Sequence, residues 1–118
     1  MKKILFILLI LTLFNCKNMG QKIWENTSGF LYFEKKATIK SIDAIKIYET
    51  NFETNFNINP NILKDKNFSR DYKRIIYISD DDYNIGYRSL LDKRGDKNVP
   101  LKFLAKINSS TGEVSVVK

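Results

Sequence analysis

The apolar and polar positions divide the chain into a leader and a folded part. Residues 4–14 (ILFILLILTLF) are apolar except for Thr12 and follow a short basic start, Met1-Lys2-Lys3. As a helix this run rises about 16 Å, roughly half of a bilayer core, so it is too short for a stable span. A basic start and a short apolar run predict a signal peptide over residues 1–15. Residues 17–21 (KNMGQ) are polar with one glycine and read as a spacer. Residues 16–28 are therefore assigned to a tether, and residues 29–118 to a single domain. Trp24 interrupts the tether. A lone tryptophan there either packs on the core or sits at a lipid interface, where amphipathic rings are favoured.

Within the domain, residues 30–33 (FLYF) are apolar and aromatic behind Ser28-Gly29 and predict a strand. Residues 41–52 (SIDAIKIYETNF) change period. Ile45, Tyr48 and Phe52 recur at helical spacing, with Ile42 leading in and Phe56 beyond, while Lys46 and Glu49 fall on the opposite side. Ser41 suits an N-cap, and Asp43 suits the first turn, where the helix dipole favours an anion. Residues 55–61, with Pro60, break the helix. The C-terminal half reads as strands: 73–79 (KRIIYIS), 83–91 (YNIGYRSLL), 100–107 (PLKFLAKI) and 113–118 (EVSVVK). Ile85, Tyr87 and Leu91 share a face, as do Leu101, Phe103, Ala105 and Ile107 against Lys102 and Lys106. The connections are rich in Asp, Asn, Ser and Gly, which is turn chemistry. The expected fold class is α+β, one helix packed on a four- to five-stranded antiparallel sheet in the order β-α-β-β-β-β.

Composition refines this picture little. Of 118 residues 43% are hydrophobic, enough for a core, and one domain suits the length left after the leader. The net charge of +7 falls to +5 once Lys2 and Lys3 are assigned to the leader. The lysines are spread rather than clustered, so no nucleic-acid partner is expected. The basic surplus still favours anionic lipid or acidic glycans.

The single cysteine, Cys16, directly follows the leader, and no second cysteine exists for a disulfide. The arrangement resembles the bacterial lipoprotein signal, in which Leu stands three residues before an invariant Cys; Leu13 and Cys16 occupy those places. Phe14 and Asn15 depart from the usual small residues between them. The resemblance implies diacylglyceryl transfer to the Cys16 thiol, cleavage before it and acylation of the new amine. Two or three acyl chains would anchor the chain firmly, at about 0.8 kcal/mol per buried methylene. Lys17 occupies the place where Asp favours the inner membrane in some bacteria, which points to the outer membrane.

The order of elements resembles the cystatin-like fold. The 41–49 helix and the 107–117 segment, with Thr111, Gly112 and Val114 at a T-G-x-V turn, are similar to PepSY domains. The cystatin inhibitory hairpin finds only Gly86 to match, so inhibitor activity is not carried over.

Candidate chemistry is sparse. Histidine is absent, which excludes Ser-His-Asp and Cys-His catalysis. No glycine-rich phosphate loop occurs, and no cofactor or metal is expected. Asp80, Asp82 and Asn84 have calcium-loop spacing, but Ile85 and Leu91 stand where Gly and Glu belong. Candidate partner-binding loops are the acidic turn Asp80, Asp81 and Asp82, and the charged loop of Lys93, Arg94 and Asp96, whose Arg94-Gly95-Asp96 resembles an integrin-binding tripeptide. The expected function is a membrane-anchored envelope lipoprotein that binds or inhibits a protein or envelope component. A carboxylate-dependent enzyme or small-molecule-binding domain of nuclear-transport-factor-like fold is the alternative.

Overall fold

Period-two spacing in the C-terminal half becomes an antiparallel meander. The computed structural model describes residues 22–95 and 99–117. In chain order the described elements are β1 (Ile23–Trp24), α1 (Ser28–Lys36), α2 (Ser41–Thr50), α3 (Phe52–Phe56), a 3-10 turn (Pro60–Lys64) and α4 (Lys66–Asp71). Then come β2 (Tyr72–Ser79), β3 (Asp82–Ser89), β4 (Lys102–Asn108) and β5 (Val114–Val116). The strands lie in sequence order in one sheet, each antiparallel to its neighbours. The chain is an α+β protein, with a layer of helical segments where the sequence predicts one helix. Cys16 and its leader lie outside the described residues, as does Asp96.

The strand expected over residues 30–33 is the middle of α1. Thr27 explains why: its hydroxyl oxygen accepts the Phe30 N–H at 3.2 Å and caps the helix, while it donates to the Trp24 carbonyl at 2.7 Å. Lys35 and Lys36 fall in the last turn, where cations suit the dipole. Only Phe30 is fully buried and Phe33 is partly so, an i, i+3 pattern rather than alternation. The first strand is instead Ile23–Trp24, so the folded part begins ahead of residue 29. Trp24 packs on Tyr77 with ring centroids 5.0 Å apart.

The second helix forms as expected, but its N-cap is Lys40, whose side chain makes no capping bond there. Glu34 of α1 does that work, its carboxylate accepting the Ser41 N–H at 2.8 Å. The Lys40 ammonium in turn donates to the carbonyls of Glu34 and Ala37 at 2.6 and 2.9 Å, closing the C-terminus of α1. Ala44, Tyr48 and Phe52 are buried; Ile45 is half-buried and Ile42 exposed. The helix expected over residues 41–52 is interrupted at Asn51, and the break expected over residues 55–61 falls at Asn57, in the left-handed region at φ 55°, with Pro60 opening the 3-10 turn. α4 was not legible in the sequence; Asp65 caps it and Phe68 sits in the core.

Tyr48, Phe52, Phe56, Phe68, Tyr87 and Phe103 form an aromatic cluster between helices and sheet, with centroid separations of 5.0 to 6.3 Å. Such pairs add to plain area burial. Ile76, Ile78, Tyr83, Ile85, Ala105 and Ile107 complete the helix-facing side.

β4 carries a bulge. Ile85 pairs with Ala105 but Tyr87 pairs with Lys102, so β4 has one residue more than β3 between these pairs. Phe103, within the bulge, has φ of 56°. Its carbonyl accepts the Tyr48 hydroxyl at 2.7 Å. Gly86 lies opposite; a Cβ there would stand 3.0 Å from the Leu101 Cβ. The bulge corrects the expected register. Phe103, Ala105 and Ile107 face the helices, whereas Leu101 lies on the outer face near Trp24, Tyr77 and Val99. Lys102 stays exposed, its ammonium 5.4 Å from the Tyr72 ring centroid. Leu91, expected to share a face with Ile85 and Tyr87, is 79% exposed beyond the end of β3.

Candidate functional site

The end of the sheet that receives the entering chain holds an apolar groove. β1 pairs Ile23 with Ile78, beside the turn that joins β2 to β3. That turn is residues 80–81, with φ of 54° and 64°. Two left-handed residues between directly paired strand ends make the tight hairpin that matches strand twist, and Asp tolerates the conformation. The β4–β5 turn lies alongside. Asn108 organises it by accepting the N–H groups of Ser110 and Thr111 at 2.8 and 3.0 Å. Gly112 closes it at φ 77°, where a side chain would also press on Ile47. The Ser109 N–H donates to the Asp81 carbonyl at 3.3 Å, joining the two tips.

α1 is fixed against these tips. The Ile39 N–H donates to the Ser109 carbonyl at 2.8 Å, and the Tyr83 hydroxyl donates to the Ile39 carbonyl at 2.7 Å. Burial pushes the Tyr83 phenol up to about 12, with Glu34 and Asp43 adding to the shift. The Phe33 ring meets Tyr83 edge-on at 5.9 Å. Gly29 lets the helix approach the entering strand, since a Cβ there would lie 3.3 Å from Ile23 Cγ2.

Between α1 and the tips lies a groove of about 490 Å³, within the range of ligand sites. Its walls are Ile23, Gly29, Tyr32, Phe33 and Ala37; Lys36, Asp81, Ser109 and Ser110 supply polar groups at its edge. The Lys36 ammonium lies 4.2 Å from the Tyr32 ring centroid and donates to its hydroxyl. The arrangement can take an apolar group against the walls and fix charged neighbours at Lys36 and Asp81.

The predicted acidic turn is therefore divided. Asp81 borders the groove, Asp80 shares the tip, and Asp82 belongs to β3, on the other face of the sheet. Burial pushes the Asp82 carboxyl up; Lys106 opposes this, while Asp80 and Asp81 add to it. Among the described residues no three acidic or cysteine side chains gather so as to hold a metal ion.

The other predicted loop lies at the far end of β3, about 24 Å away at a strand's rise per residue. Arg94 is turned back on Asp92, with nitrogen–oxygen distances of 3.0 and 2.6 Å, and holds that carboxyl down to about 2. The Arg88 guanidinium donates to the carbonyls of Asp92 and Arg94 at 2.7 and 2.9 Å. Lys93 is exposed. This loop and the acidic turn do not form one site.

Tyr32, Lys36, Ser109 and Ser110 were not singled out from the sequence. The Thr27-Ser28 cap and the Lys35-Lys36 pair were the signal for a helix there, and a helix would have placed Tyr32 and Lys36 together at i, i+4. No family model, curated protein or solved structure matches this chain. Among the described residues no helix is long and apolar enough to cross a membrane.

Proposed function

We propose that this chain is a lipid-anchored envelope protein that works as a binding or inhibitory module, holding a segment of another envelope protein in the groove beside α1. The groove carries this reading: an apolar floor with one cation, Lys36, and one carboxylate, Asp81, at its edge. It suits a segment that presents an apolar side chain flanked by charge. The leader, Leu13 and Cys16 supply the anchor, with the outer membrane as its location.

An enzyme of the carboxylate type would need paired acids in a cleft. Among the described residues Asp81 is the one carboxylate bordering the groove, and Asp82 belongs to the opposite face, which favours binding.

Two measurements test the reading. Cys16→Ser should release the protein from membranes or leave it unprocessed, and acyl labelling that persists in this variant overturns the anchor. A photo-crosslinking amino acid at position 32 should capture one discrete partner in intact cells. Lys36→Glu and Asp81→Lys should each reduce that capture, and position 93 should give none. Equal capture from positions 32 and 93, or capture indifferent to both charge reversals, overturns the groove as the site.

A further inference from the structure

We infer that the end of the sheet opposite the groove docks on anionic phospholipid, with Leu90 and Leu91 entering the headgroup layer and the basic side chains around them meeting lipid phosphates. The contact is separate from the groove and does not depend on the Cys16 anchor.

Lysines and arginines that are spread along the sequence are gathered here by the sheet register. Lys73 lies opposite Arg88, and Tyr87 has Arg74 on one side and Lys102 on the other. Arg70 leads into β2 through Asp71, whose carbonyl accepts the Leu90 N–H at 2.8 Å. Lys93 and Arg94 follow β3, and the Arg94 carbonyl accepts the Arg88 guanidinium at 2.9 Å. Among the described residues this end thus carries seven cations and two carboxylates, Asp71 and Asp92, a surplus of five. The rest of the chain beyond Asn15, Asp96 and Lys97 included, holds eleven of each sign. The whole basic surplus of that part of the chain therefore sits at one end. Both carboxylates are already held, Asp71 by Arg70 at 3.0 Å and Asp92 by Arg94 at 2.6 Å. Lys73, Arg74, Lys93 and Lys102 are exposed.

Charge alone would suit any polyanion; the two leucines select lipid. Leu90 and Leu91 are adjacent, 48% and 79% exposed, and stand where β3 ends, among these cations. A hydrated acidic glycan offers nothing to such a pair. A bilayer takes apolar side chains at the headgroup boundary while its phosphates attract the ammonium and guanidinium groups around them. Docked this way, the domain turns the groove, at the other end of β3, away from lipid and towards a partner. Where Cys16 anchors in the same bilayer, the six residues to Lys22 span about 20 Å at full extension. β2 is about 24 Å long, so the sheet must incline to the membrane.

The test places the photo-reactive residue p-benzoylphenylalanine at position 91 of the full chain, with position 42 as the comparison. Ile42 is 62% exposed but lies towards the groove end, close behind Ile39, whose N–H bonds Ser109. Each protein is irradiated with vesicles of phosphatidylcholine, with or without phosphatidylglycerol, and phospholipid adducts are measured by mass spectrometry. The expected result is an adduct at position 91 that rises several-fold with phosphatidylglycerol, and little adduct at position 42. Arg74→Glu with Lys93→Glu should remove most of that rise, with circular dichroism unchanged. No adduct at position 91, an adduct indifferent to phosphatidylglycerol, or equal adducts at both positions overturns the inference. So does a rise that survives the charge reversal. The vesicle comparison on the unreversed chain decides the matter even if the reversed variant does not fold.

Discussion

Phe103 occupies left-handed backbone space that costs a residue with a Cβ about 1–2 kcal/mol. It is kept there because its ring sits among Phe52, Phe56 and Phe68 and its carbonyl takes the Tyr48 hydroxyl. Losing the ring should destabilise the fold by about 3–5 kcal/mol. The backbone makes a sharper prediction. In an ordinary strand glycine is worse than alanine by about 0.5–1 kcal/mol. At position 103 the order should reverse, because glycine relieves the strain and alanine does not. Urea unfolding of Phe103→Gly and Phe103→Ala measures this directly, and a less stable glycine variant would show the conformation to be unstrained.

α1 depends on groups outside itself. Thr27 caps one end, Lys40 closes the other, and Glu34 passes the chain on to α2. Nine residues are too few to hold a helix in water alone, so these contacts and the burial of Phe30 maintain it. Thr27→Ala should cost about 1 kcal/mol by removing the cap. If the segment were a strand, the same change would lower global stability little. Thermal unfolding with far-UV circular dichroism separates the two outcomes.

Across the whole molecule, four tyrosines are sealed between or beside the layers. Burial pushes the phenols of Tyr48, Tyr77, Tyr83 and Tyr87 upward, Tyr48 furthest and Tyr83 to about 12. In the unfolded chain each titrates near the ordinary tyrosine value of about 10. A folded pKa above the unfolded one means that the protonated form is favoured by folding. That contribution is complete below about pH 10 and is lost as pH rises through the folded values. The domain should therefore weaken in alkali. Buried phenols should ionise together with loss of ellipticity, rather than ahead of it. Absorbance at tyrosinate wavelengths and circular dichroism, followed from neutral to alkaline pH, test this coincidence. Tyr83→Phe should reduce the alkaline loss.

Local pattern was sufficient for the meander. The β-branched and aromatic runs of β2, β3 and β4 are separated by turn residues, so strand number and antiparallel order follow from short-range chemistry. The apolar stripe of Tyr48 and Phe52 likewise determined that a helix covers the sheet. FLYF misled because four consecutive apolar residues fit either period. What decides between them is Thr27 capping, Lys40 reaching back and Phe33 finding Tyr83, and the last of these partners is distant in sequence. The register of β4 was legible from Ala105 to Ile107, but not the bulge. That bulge arises where Gly86 leaves room on one side and the Tyr48 hydroxyl pulls a carbonyl on the other, contacts made only once helix and sheet are packed. The groove belongs to the same class. Asp81 was visible as a charge in the sequence, but its placement across an apolar floor from Lys36 required α1 and two hairpin tips to converge. Periodicity reports which side of an element faces inward. Packing between elements remote in sequence decides which outward side chains come to share a site.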